Sequence, residues 1–204
     1  EVIYQCSGII VFGKRIKSLV FSTDLSIIKN VNADAIIAVY PFTPQPIITQ
    51  ALLLAADIPV FAGVGGGLTK GQRVVNLAMF AEMQGATGVV VNAPTANTVV
   101  QHVAETIDIP VVVTVARADT DFEARLQAGA NIFNVSAAAE TPAIVRSIRE
   151  RYPDVPIIAT GGPTDESILE TIRAGANAIT WTPPSNGEIF RDIMAAYRDN
   201  KPHP

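Results

Sequence analysis

Two glycine-rich turns carry the residues with the most chemistry to offer. Gly161-Gly162-Pro163-Thr164 lies between a β-branched run (Val155, Ile157, Ile158) and an amphipathic stretch with Ile168, Leu169 and Ile172 on one face. Glycines where a strand meets a helix expose backbone N–H groups, and the helix N-terminus adds positive potential, so this turn could seat a phosphate. Thr164 is placed to cap the helix, and Asp165 and Glu166 in the first turn suit its positive end. The same two acids would repel an anion, and a tight turn in which the glycines serve only geometry explains the motif equally well. Gly65-Gly66-Gly67-Leu68-Thr69-Lys70 is longer and carries a cation. It suits a second anion nest or a lid, and its plainer reading is a flexible connection with a solvated lysine.

The titratable side chains offer fewer options. Asp24, Lys70 and Arg117 are the candidate catalytic residues, since a carboxylate and cations at one mouth can act as base and substrate clamp. The competing reading has Asp24 and Asp119 starting helices and Arg117 in solvent. His102 falls mid-helix in VVQHVAE, His203 lies in a polar tail, and Cys6 lacks a nearby histidine partner. One cysteine and two histidines leave no Cys/His metal site, and no metal or cofactor is expected. Trp181 and Tyr40 either stack on a flat ligand or line the mouth.

A chain of 204 residues is long enough for one substantial core and is read as a single domain, 1–204. Hydrophobic residues make up 49%, yet no apolar run reaches the roughly 20 residues that span a bilayer, so no membrane partner is expected. A net charge of −4 gives no basic footprint for nucleic acid. The single cysteine excludes an intrachain disulfide and fits a cytoplasmic protein, and no secretory signal is visible.

What must position these residues is an alternation of strands and helices. An N-terminal hairpin is expected within 1–14, from Val2–Tyr4 and Ile9–Phe12, covering the open bottom of the fold. Strand-like runs then begin at Leu19, Ala35, Ile58, Gly88, Pro110, Ile132, Val155 and Ile179, each succeeded by a helical stretch. Thr120-Asp121-Phe122-Glu123 reads as a capping box, and 199–204 as a polar tail. Gly85-Ala86-Thr87, Gly129-Ala130-Asn131 and Gly175-Ala176-Asn177 recur before alternate strands, and Ile58-Pro59, Ile109-Pro110 and Val155-Pro156 open the others. A two-strand, two-helix unit repeated about four times closes into a (β/α)8 TIM barrel. An open Rossmann-like sheet would need no such even repetition. In a barrel the chemistry sits at the strand C-termini, which here offer Gly66, Gly67, Asn92, Thr114, Asn134, Ser136 and Thr160, a polar and nearly uncharged rim. No lysine stands at the end of the sixth barrel strand, which argues against a Schiff-base aldolase.

The segment IIATGGPTDESILETIRAGANAI resembles the closing strands of phosphate-binding TIM barrels, and the chain is similar to barrels of the glycerol-uptake operon antiterminator group. Val155–Thr182 carries the likeness, and Gly67–Thr95 more loosely. Relatives carry a hydrolase label that no residue here supports. The resemblance implies a phosphate held by the turns after the seventh and eighth strands. Trp181-Thr182-Pro183-Pro184 departs from the family's glycine-containing turn and removes two N–H donors.

Two functions fit these residues. One is a lyase, isomerase or hydrolase acting on a small anionic, phosphorylated or carboxylated metabolite. The other is a non-catalytic barrel that binds such a ligand and reports it, as the antiterminator likeness implies. The anion is expected near Gly161, Gly162 and Thr164, with Ser185, Asn186 and Gly187 opposite. A homo-oligomer is expected through the helices at 46–56 and 74–83, whose apolar residues exceed what one buried face needs.

Overall fold

The computed structural model describes residues 2–203. A short antiparallel hairpin, β1 (Ile9–Val11) and β2 (Lys14–Ile16), opens the chain. Eight parallel strands then close into a barrel: β3 (Ser18–Phe21), β4 (Ala35–Ala38), β5 (Val60–Gly63), β6 (Gly88–Val91), β7 (Val111–Val115), β8 (Ile132–Val135), β9 (Ile157–Thr160) and β10 (Ala178–Trp181), with β10 pairing back onto β3. A helix succeeds each: α1 (Leu25–Asn30), α2 (Pro46–Ala55), α3 (Gln72–Met83), α4 (Asn97–Thr106), α5 (Phe122–Gln127), α6 (Thr141–Arg151), α7 (Asp165–Arg173) and α8 (Asn186–Arg198). The protein is a (β/α)8 barrel.

The strands read as near-continuous apolar runs because both faces are covered. Alternate residues divide between two cores. Leu19, Ile37, Phe61, Val90, Val112, Ile132 and Ile158 fill the barrel interior, and Val20, Ile36, Val60, Val89, Val111, Phe133 and Ile157 pack against the helices. The hairpin closes the floor, and its Ile9, Val11 and Ile16 join the interior cluster.

Two expectations are corrected here. The hairpin runs over 9–16 instead of 1–14, because Val2–Gln5 forms a 3-10 turn and the strands reverse at Phe12-Gly13; Glu1 lies outside the described residues. Asp121, not Thr120, caps α5: its carboxylate accepts from Ala124 N at 3.0 Å, while the Thr120 hydroxyl donates to Arg117 O. A carboxylate one residue nearer the helix outcompetes the threonine.

The helices are anchored unequally. α3 buries Val74, Val75, Ala78 and Ala81, and α4 buries Val100 and Val103. α8 is amphipathic but buries no residue, leaving Phe190, Met194 and Tyr197 exposed. On α2 and α3, Ile47, Leu54, Phe80 and Met83 are exposed. Among the described residues no helix is long and apolar enough to cross a membrane.

Candidate functional site

The C-terminal ends of the strands form two adjoining cavities. The smaller, about 170 Å³, is the barrel mouth, and Tyr40, Gly66, Asn92, Thr114, Asn134 and Ser136 are among its walls. These groups are cross-linked by neutral hydrogen bonds. Asn134 Nδ2 donates to Thr114 Oγ1 at 3.4 Å, and Thr160 Oγ1 to Ser136 Oγ at 3.3 Å. The Tyr40 hydroxyl accepts from Gln45 N at 2.9 Å, which ties it to the start of α2. The mouth can therefore polarise a carbonyl or orient a carboxylate, and among the described residues it places no carboxylate or cation against the ligand.

The larger cavity, about 590 Å³, opens between the β5–α3 and β6–α4 loops and shares Asn92 with the mouth. Among the described residues Lys70 supplies its only charge, and no acid lines it. The glycines here are required by close packing: a Cβ on Gly66 would lie 2.7 Å from Tyr40 O, and one on Gly67, at φ +62°, would collide with Thr43 N. The loop is thus seated on the β4–α2 connection, which weighs against reading it as a flexible tether. Asn92 Oδ1 accepts from the Thr95 hydroxyl at 2.6 Å, leaving its amide N–H groups without a partner among the described residues. Thr69, 7% exposed, lines the cavity, and its hydroxyl has no partner among them either.

Arg125 on α5 holds the β6–α4 loop from behind. Its guanidinium donates to the carbonyls of Ala93 (2.6 Å) and Thr95 and to Asn97 Oδ1 (2.9 Å). Partial burial lowers its pKa from the ordinary arginine value. Sequence reading missed this residue, since an arginine on an amphipathic helix gives no sign of reaching across to another loop.

The α7–α8 side is differently disposed. Gly161 and Gly162 are needed for packing: a Cβ would lie 2.7 Å from Ile168 Cγ1 and 2.6 Å from Ser167 Oγ respectively. Thr164 and Ser167 form a reciprocal capping box, with Ser167 N donating to Thr164 Oγ1 at 3.2 Å and Thr164 N to Ser167 Oγ at 3.1 Å. Ser185 caps α8 in the same way, and both its N–H (2.8 Å) and its hydroxyl (2.7 Å) donate to the Glu188 carboxylate. Those bonds hold Glu188 below the usual carboxylate range. Asn186 and Gly187, expected in an open turn, form the first turn of α8.

The three candidate catalytic residues do not converge. They come after the first, third and fifth barrel strands, and only Lys70 lines a cavity with a rim residue. Asp24 caps α1, accepting from Ser26 N (2.9 Å) and Ile27 N (3.2 Å) and, on its other oxygen, from Asn186 Nδ2 at 2.7 Å. The Ser26 hydroxyl and these N–H groups hold its carboxyl below the ordinary aspartate value, which weakens it as a base. Arg117 forms a two-pronged pair with Asp119 (2.8 and 2.6 Å) in open solvent, and that contact lowers the Asp119 pKa. Cys6 is buried in the outer core, and burial pushes its thiol up to about 11, the opposite of what a nucleophile needs. Among the described residues no three His, Cys, Asp or Glu side chains gather as a metal-binding group.

No family model and no curated protein matches this sequence. Solved structures share the fold. A 2,3-dimethylmalate lyase, described as a member of the PEP mutase/isocitrate lyase superfamily, superposes with a TM-score of 0.68 at 13% identity, covering 98% of this chain and 86% of that one. A phosphoenolpyruvate phosphomutase from Streptomyces platensis subsp. rosaceus gives 0.66 at 15%, covering 90% and 83%. A dihydrodipicolinate synthase from Bacillus anthracis gives 0.60 at 16%, covering 90% and 76%. At these identities the likeness establishes the barrel and nothing finer.

Proposed function

We propose that this barrel binds a small anionic metabolite at its C-terminal mouth and acts on it as a lyase or isomerase. The carrying observation is that the two cavities share Asn92 as a wall residue, which puts a neutral, hydrogen-bonding mouth beside a chamber with a single cation. A molecule with one charged end and a carbonyl or hydroxyl a few bonds away matches that division. Asn92 and Asn134 would donate to oxygen as negative charge develops on it, the means by which an enolate is stabilised without a full cation. Lys70 would balance the charged end and is the group in the cleft able to carry a proton.

Several fold neighbours bear lyase or mutase names, which supports this chemistry over a purely regulatory barrel. The test is a thermal-stability screen with small 2-oxo acids, hydroxy diacids and phosphorylated three- to six-carbon acids, with NMR observation of turnover for any that bind. Stabilisation by one class, lost in Asn134→Ala, is expected together with carbon–carbon or carbon–oxygen cleavage. Binding without turnover would leave the ligand-binding barrel as the function. No response across the panel would reject the reading.

The exposed apolar residues of α2 and α3 support the accompanying proposal of a homo-oligomer through those helices. A sedimentation velocity run at micromolar concentration showing a single monomer would overturn it.

A further inference from the structure

We propose that the barrel mouth is two-sided and selects a small 2-oxo acid with an aliphatic tail, the tail packing on Phe21 and Val39. The inference rests on the proposed function for the acid and adds to it what the rest of the ligand must be.

Barrel topology sets the two sides against each other. In a closed ring of eight strands each faces the strand four places on, so β3 stands across from β7 and β4 from β8. Phe21, at the end of β3, lies two residues beyond Leu19, and Val39 lies two beyond Ile37. Leu19 and Ile37 fill the barrel interior, and residues two apart share a strand face. Phe21 and Val39 accordingly line the mouth, with Pro44 beside them. Thr114 on β7 and Asn134 on β8 line the same 170 Å³ cavity from across the barrel. On the flank between the two sides the wall is glycine backbone, Gly63, Gly65 and Gly66.

The two sides differ in chemistry. Asn134 Nδ2 donates to Thr114 Oγ1, which leaves the Thr114 proton free for a ligand. The Asn92 amide is also free among the described residues, so this side calls for a carbonyl oxygen. The opposite side is hydrocarbon, and the Tyr40 hydroxyl, next to Val39 in the chain, is tied to Gln45 N at 2.9 Å. Phe61 and Phe133 on the same barrel are 0% exposed, whereas Phe21 is 38% exposed. A ring left wet contributes little to the fold, and a ligand's hydrocarbon would take that surface out of water. A carboxylate placed there would lose hydration with no donor in return.

The volume limits the tail. At about 30 Å³ per water-sized group the mouth holds about six non-hydrogen atoms. That suits the 2-oxo carbon, its oxygen and a short branched tail, with the carboxylate toward Lys70 in the adjoining cavity.

The experiment titrates pyruvate, 2-oxobutyrate, 2-oxoisovalerate and 2-oxoglutarate against the intact protein at fixed pH and ionic strength. Melting temperature and ligand-observed NMR are the readouts. Affinity is expected to rise about fourfold per added carbon, so 2-oxoisovalerate should bind more than about tenfold tighter than pyruvate. 2-Oxoglutarate, whose tail ends in a carboxylate, should bind at least about tenfold more weakly than 2-oxoisovalerate. Phe21→Ala should cut the ratio of 2-oxoisovalerate to pyruvate affinity to about threefold or less, and Phe21→Leu should retain most of it. Val39→Thr, nearly the same shape, should lower that ratio about threefold and covers the case in which Phe21→Ala does not fold. Asn134→Ala should weaken every acid and leave the ratio in place. Affinity indifferent to the tail, a preference for 2-oxoglutarate, or a ratio unmoved by both Phe21→Ala and Val39→Thr would overturn the proposal and spare the proposed function. Binding by none of these acids would overturn it too, with the proposed function then decided by the hydroxy and phosphorylated members of its own panel. Tail-dependent binding without turnover would uphold the two-sided mouth and remove the lyase or isomerase reading.

Discussion

The barrel presents two glycine-bearing rims that look alike in sequence and differ in how their helix ends are capped and charged. At α7 and α8 the N-cap side chains form capping boxes, Thr164 with Ser167 and Ser185 with Glu188, and Asp165 and Glu166 add negative charge. At α3 and α4 the caps are Gly71 and Ala96, the first turns are free of acids, and an unpaired threonine hydroxyl sits in the wall. The anchoring differs in the same sense, since α3 buries four residues, α4 two and α8 none. A glycine-glycine turn is therefore a poor guide to a ligand site by itself. What distinguishes the rims is side-chain capping and acid in the first turn, since at all four helices the first two N–H groups have no acceptor among the described residues.

The largest expected effect separates the rims at their glycines. Gly67→Ala places a Cβ against the backbone of the β4–α2 connection at a left-handed residue, and backbone cannot step aside. A loss of more than about 2 kcal/mol is expected by urea denaturation. Gly162 is also left-handed, but its obstacle is the rotatable Ser167 hydroxyl, so Gly162→Ala should cost only about 1–2 kcal/mol and leave any anion site elsewhere intact. Equal losses of stability at the two positions would break the comparison.

The next effect tests whether the β6–α4 loop is held in place. Arg125→Met removes donors to the carbonyls of Ala93 and Thr95 and to Asn97. About 1.5–3 kcal/mol should be lost, with faster amide exchange at 93–98 and none of that change at 161–167. Exchange rising equally at both segments would mean that the arginine supports the whole barrel and not this rim.

Asp24→Ala removes a helix cap and the link from α1 to Asn186 on α8, and should cost about 0.5–2 kcal/mol. Because the folded-state pKa of Asp24 is depressed, its contribution is present above the unfolded value near 3.9 and is lost as pH falls through the folded value. The stability difference between parent and variant should therefore shrink on acidification below about pH 4. A difference that stays constant down to about pH 2 would remove the carboxylate from the account.

The legibility of the sequence tracks the range of the interactions involved. The barrel can be read because each βα unit writes its own local signal, apolar run then turn then amphipathic stretch, and the unit recurs. The hairpin is misplaced by sequence reading because Val2–Tyr4 is β-branched and apolar but folds as a 3-10 turn. Asn92, Asn134 and Lys70 are legible as rim residues because strand ends are predictable in this fold. The roles of Thr69 and Arg125 are not, since one depends on a partner being absent and the other on a contact 28 to 32 residues away.

The smallest expected effect asks which difference between the rims matters, charge or side-chain capping. Asp165→Asn, Glu166→Gln and Glu188→Gln together remove three negative charges from the α7–α8 side. Combining them with Lys70→Ala removes the one cation that lines the larger cavity among the described residues, so that any phosphate bound is bound elsewhere. A glutamine in place of Glu188 still has an amide oxygen to accept from Ser185 N, and the Thr164–Ser167 box is untouched, so both capping boxes stay formed. Removing repulsion of the order of 1 kcal/mol per exposed charge does not create donors. The combined variant should show no phosphate-dependent 31P shift at millimolar concentration. If it binds phosphate, with the shift abolished by adding Gly162→Asp, then charge alone kept the anion away, and the two rims are the same device tuned by three side chains. If it does not, the side-chain capping boxes are the deciding difference between the rims.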